Sequence, residues 1–100
     1  MIKQAQMRFT FKTEKSKGKY RSFYLDTHYI KFKKKVVGTI SDRDWHISLM
    51  VKKEKSEEDP SPFRWITLKR KSNSLQEAKI WLNEAINLIT EKYDLYELEH

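Results

Sequence analysis

The chain has 100 residues, with 21 Lys and Arg against 14 Asp and Glu, a formal charge of +7 and no cysteine. This length makes one domain with one modest core, and the missing thiols exclude a disulfide scaffold and thiolate metal sites. Aromatic residues make up 13% of the chain, enough large side chains to argue for a packed core despite the charge.

Neither end of the chain reads as a targeting segment. The N-terminus opens no apolar run, so no signal peptide is expected, and no stretch approaches the length needed to span a bilayer. A cytoplasmic protein with no membrane partner is the expectation. The final Leu98-Glu99-His100 resembles the start of an expression tag, so the domain is expected to occupy residues 1–97 and the tag remnant residues 98–100.

In chain order, Met7, Phe9 and Phe11 alternate with Arg8, Thr10 and Lys12, which predicts a half-buried strand with one cationic face. A turn at Gly18 and an aromatic second strand over residues 20–25 follow, with Asp26, Thr27 and His28 as its breaker. Residues 29–40 read as one long strand kinked at Gly38, or as two short strands turning near Lys33 and Lys34; the kinked strand is favoured, because Gly inside a strand marks a bulge. Residues 41–44 form a turn. Trp45, Ile47, Leu49 and Val51 then alternate cleanly with polar neighbours, the signature of a strand. A charged loop with Pro60 and Pro62 leads to a last strand over residues 63–70.

The remaining segment is a helix. Ser74-Leu75-Gln76-Glu77 fits a capping box, with the Ser74 hydroxyl accepting from the Glu77 amide and the Glu77 carboxylate returning to the Ser74 amide. Leu75, Ala78, Leu82, Ala85 and Ile89 keep helical spacing, and no Pro or Gly interrupts the run to about residues 92–96. The expected fold is therefore α+β: an antiparallel meander of four to five strands with one C-terminal amphipathic helix packed on one face.

Charge is segregated along this plan. Residues 1–73 hold 19 Lys and Arg against 8 Asp and Glu, whereas residues 74–100 hold 2 against 6. A basic sheet backed by an acidic helix, with Glu77, Glu84 and Glu91 on its outer side, suits a polyanion. Arg8, Lys12, Lys31, Lys33 and Lys35 are the expected cations of the open sheet face, joined by Arg64, with Lys31, Lys33 and Lys35 sharing one side of their strand. Trp65 is the aromatic candidate for stacking on a base, with Tyr20, Tyr24 and Tyr29 also not forced inward. Phe9, Phe11, Trp45 and Trp81 read as core. A dimer interface is the other reading of Trp65, and an edge-protecting lysine face is the other reading of the cations.

The sequence points away from catalysis. His28 and His46 come without Cys or a His-x-x-x-His pair, no Ser sits on a glycine-flanked elbow, and Gly18 and Gly38 form no phosphate-cradling loop. No catalytic residue, metal or cofactor is therefore assigned. A basic cluster at Lys69, Arg70 and Lys71 precedes the helix, but Glu77 already supplies an anion at that terminus.

The run from Trp65 to Arg70 into Ser74-Leu75-Gln76-Glu77-Ala78-Lys79 resembles the last strand and helix of the arm-binding domains of phage integrases, over about a quarter of the chain. That resemblance implies DNA binding through the sheet. The order of strands then helix is similar to that of single-stranded-DNA-binding transcriptional coactivators of the Whirly type. A small non-enzymatic nucleic-acid-binding module is the leading expectation. A protein-interaction or structural module, binding an acidic protein or itself, is the alternative.

Overall fold

The computed structural model describes residues 8–15 and 26–98. Five strands form one antiparallel sheet in the order β1 (Phe9–Glu14), β2 (Thr27–Phe32), β3 (Lys35–Ile40), β4 (Ile47–Lys52), β5 (Phe63–Thr67). Two helical segments, α1 (Leu75–Glu84) and α2 (Ile86–Lys92), pack against one face. The expected α+β meander is therefore present. Met7, the Gly18 turn, residues 20–25 with Tyr20 and Tyr24, and residues 99–100 lie outside the described residues.

Several local expectations are corrected. Residues 29–40 make two strands, not one, joined by a two-residue turn at Lys33 and Lys34 whose φ values are 53° and 68°. Positive φ at both positions is the mark of a type I′ hairpin turn, which matches the twist of the flanking strands. Thr27 and His28 belong to β2 instead of ending a strand, and β5 stops at Thr67. Trp45 lies before β4 in a loop closed by Ser41 N–H to His46 O and Trp45 N–H to Ser41 O, at 2.9 and 3.0 Å. Trp45 takes φ 60°, yet its ring still packs on the core beside His28.

A bulge does occur near Gly38. Ile30 pairs with Gly38 and Lys31 with Val36, so Val37 is the extra residue on β3. Glycine is needed beside it because a Cβ at Gly38 would lie 2.3 Å from the Ser48 carbonyl oxygen of β4. The strand approaches its neighbour too closely for any side chain.

β3 and β4 pair only from Gly38 to Ile40, and beyond that the C-terminal tail runs between them. The tail bonds β4 through Lys52 N–H to Asp94 O and Tyr96 N–H to Met50 O, at 2.8 and 2.9 Å. It bonds β3 through a reciprocal pair between Val36 and Leu98, at 2.9 and 2.8 Å. Both inner strand edges are thereby satisfied, as buried backbone groups require.

The helix departs from the expectation at Ala85, whose φ and ψ of −97° and 9° separate α1 from α2. Helical bonds still cross the break, from Ala85 N–H to Trp81 O and from Ile89 N–H to Ala85 O, both 2.9 Å. The distortion falls two residues beyond Asn83, the α1 side chain fastened to β1. At the N-terminus, Ser74 Oγ accepts from Glu77 N–H at 3.1 Å as expected. The Glu77 carboxylate returns to the Asn73 amide, one residue earlier than a standard capping box.

Phe9, Ile30, Phe32, Val37, Ile40, Ile47 and Leu49 of the sheet meet Ala78, Leu82, Ile86, Ile89 and Leu95 in one core. Phe11, Trp45 and Trp81 are partly buried against it. No helix among the described residues is long and apolar enough to cross a membrane.

Candidate nucleic-acid interface

The register decides which side chains share the sheet face opposite the helices, because directly paired residues and residues two apart lie on the same side. Thr10 pairs with Lys31 and Lys12 with Tyr29, so these four stand together. They alternate with the buried Phe9, Ile30 and Phe32, which face the helices. Arg8 precedes β1 on the same alternation and is exposed. Lys12, Glu14, Tyr29, Lys31 and Val36 line a shallow cavity of about 90 Å³ on this face.

The other end of the face is aromatic. Trp65 pairs with Met50, Phe63 with Lys52 and Thr67 with Ser48, and Ser48 pairs in turn with Thr39 beside Tyr29. Trp65 is 52% exposed, the Phe63 ring meets it edge-on with centroids 5.9 Å apart, and Tyr96 of the tail stacks on Phe63 at 4.8 Å. These rings cover Met50, a buried residue on the face away from the helices. The Lys52 ammonium lies beside them, 3.6 Å from the Asp94 carboxylate. With strands about 4.8 Å apart, the face spans roughly 20 Å from cations to rings.

Two expected members are placed elsewhere. Arg64 pairs with Val51, on the side of the sheet that Leu95 and the core occupy. Lys35 pairs with Phe32 and Lys31 with Val36, so Lys31, Lys33 and Lys35 do not share one strand side. Lys33 instead projects from the hairpin turn with Nζ 5.2 Å from the Phe32 ring centre. The face thus gathers Arg8, Lys12, Lys31 and Trp65, whereas the Lys33 ammonium lies against the helix-facing Phe32. Phe63, Tyr96 and Lys52 were missed as partners. Phe63 was visible in its alternation with Ile66 and Leu68, whereas nothing local places Tyr96 in the sheet.

The two histidines among the described residues each hold their own aspartate. His28 is 4% exposed, with Nδ1 2.8 Å from Thr13 Oγ1 and Nε2 2.6 Å from Asp42 Oδ1. Asp42 also accepts from the Asp26 amide at 3.3 Å. This hydroxyl–imidazole–carboxylate chain satisfies a buried polar group and ties the loop before β4 to the sheet end. His46 bonds Asp44 at the surface, and that hydrogen bond, with the His46 amide, holds the Asp44 carboxyl below its ordinary 3.8. Asp44 and His46 line a concavity of about 440 Å³ with Lys69, Arg70 and Ser72. The Ser72 hydroxyl there is buried and makes no hydrogen bond, so no base addresses it as a nucleophile. Among the described residues no three His, Asp or Glu side chains converge as a metal site needs.

No family model, curated protein or solved structure matches this chain.

Proposed function

We propose that this protein is a small non-enzymatic nucleic-acid-binding module that works through the helix-free face of its sheet. The observation that carries the reading is the half-exposed Trp65 on the same face as Lys12 and Lys31. Cations there would neutralise phosphates and release their counterions, supplying most of the affinity. An exposed ring backed by Phe63, which Tyr96 stacks on in turn, offers a stacking platform, which favours a strand whose bases are unpaired. The cytoplasm is the proposed place of action.

The test is fluorescence anisotropy with labelled single-stranded DNA, duplex DNA and RNA at low and near-physiological salt. Replacing Trp65 by Ala is expected to cost about 1–3 kcal/mol on a single strand and little on a duplex. Replacing Lys12 and Lys31 together by Gln is expected to flatten the salt dependence by roughly 0.7–0.9 log-log unit for each phosphate no longer neutralised. No binding to any polymer at low salt would refute the proposal.

A further inference from the structure

The helix layer presents a groove of about 700 Å³ between the segment after β5 and the two helices. Its floor is apolar, formed by Leu68, Trp81, Ala85 and Ile89, and its walls carry Leu88 with charges of both signs, Lys69, Arg70 and Lys92 against Glu91. Arg70 lies over the Trp81 ring at 5.4 Å and Lys92 over Tyr93 at 5.4 Å, so both cations are held at the rim. Leu88 on the groove's own lip is 72% exposed, and one face of the helices further exposes Ile80 at 51%. Large apolar side chains this exposed beside an apolar hollow mark an interaction surface.

The occupant is indicated by what lies next to the hollow. Helical periodicity places Ile80, Glu84, Leu88 and Glu91 on one stripe, opposite the buried Ala78, Leu82 and Ile89. The surface therefore carries both halves of a contact: an exposed apolar knob, Leu88, at the lip of an apolar hollow, with charges of both signs around it. A knob and a hole side by side on one surface are satisfied together by a two-fold axis. We infer that two copies of this chain pair through their helix layers, each Leu88 entering the partner's groove and Glu84 and Glu91 facing Lys69, Arg70 and Lys92. Such pairing sets charges of both signs against each other and leaves both sheet faces open.

Sedimentation equilibrium over the range that resolves dissociation constants from about 1 µM to 1 mM tests this. The expected result is a concentration-dependent mass approaching twice the 12.2 kDa chain. Leu88→Glu is expected to remain a monomer throughout with an unchanged circular dichroism spectrum, since the side chain is exposed in the single chain. Glu84→Lys with Glu91→Lys is expected to weaken pairing at least tenfold at low salt. A wild-type mass of one chain at every concentration would overturn the inference and give the groove to another partner. A Leu88→Glu protein that still dimerises would overturn it by placing the interface elsewhere. Nucleic-acid binding per chain should be the same in Leu88→Glu and wild type at concentrations where both are monomers, so this test and that of the sheet face fail independently.

Discussion

The side-chain amide of Asn83 engages both main-chain groups of Phe9, accepting from its N–H at 2.7 Å and donating to its C=O at 3.2 Å. Phe9 lies on β1, an edge strand of the sheet, so the α1 side chain supplies the pair of hydrogen bonds that a further strand would have made. The two residues are 74 positions apart, and they fix helix to sheet at the core's edge. Asn83→Ala leaves two partly buried backbone groups unpaired and is expected to cost about 1–3 kcal/mol in chemical denaturation. Asn83→Asp keeps the acceptor but sets a carboxylate against the Phe9 carbonyl, so it should not restore stability. A cost below about 0.5 kcal/mol, the size of a surface substitution, would mean that water replaces the amide.

Leu95 joins the tail to the core and bridges to Val51 between the splayed strands. Leu95→Ala is expected to cost about 2–4 kcal/mol by cavity formation. Amide exchange should show the local consequence first. In the variant, Lys52 N–H and Val36 N–H, which bond the tail, should lose protection more than the amides paired between β1 and β2. Uniform loss across the sheet would show that the tail does not open separately.

The hairpin turn separates conformation from charge. Lys33→Asn with Lys34→Gly relieves two left-handed backbone positions, and is expected to raise stability by roughly 1 kcal/mol at unchanged denaturant slope. The same variant removes two cations, but the Lys33 ammonium lies against the helix-facing Phe32, so affinity of the open face for a nucleic-acid strand should be unchanged. A loss of affinity would bring the turn into that interface.

The surface pair His46–Asp44 predicts a pH signature. Hydrogen bonding to His46 depresses the Asp44 carboxyl, so the folded chain binds that proton less readily than the unfolded chain. The resulting stabilisation is complete above the ordinary 3.8 and is lost as pH falls through the depressed folded value. A carboxyl-carbon NMR titration should place the Asp44 midpoint below 3.8. In His46→Ala it should rise only partway, because the amide of residue 46 still donates to Asp44. An unmoved midpoint would assign the shift to another group.

Much of the architecture was legible locally. The alternation around Phe9 and Phe11, the run from Ile47 to Val51 and the Ser74 cap each reflect a periodicity or a hydrogen bond within a few residues, so the strands and helix start follow from sequence. The turn at Lys33 and Lys34 was one of two readings and lost to the kinked strand because lysine carries no positive-φ preference; pairing of Phe32 with Lys35 decides it. Trp45 misled for the complementary reason: its apolar character continues the alternation while its backbone turns away. The cationic face was half legible. Alternation correctly put Lys12 opposite Phe11, but the turn reset the phase before Lys35.

By itself the sequence determined the fold class, the segregation of charge along the chain, and the inward sets of β1 and β4, because each depends on short-range periodicity and composition. Tertiary structure alone decided the rest. It set the register that joins Lys12 and Lys31 to the Trp65 face and sends Arg64 to the other side. It also seated Tyr96 on Phe63 by threading the tail between β3 and β4, and brought Asn83 to Phe9. These relationships link residues far apart in the chain, where only backbone pairing and packing determine which side chains meet.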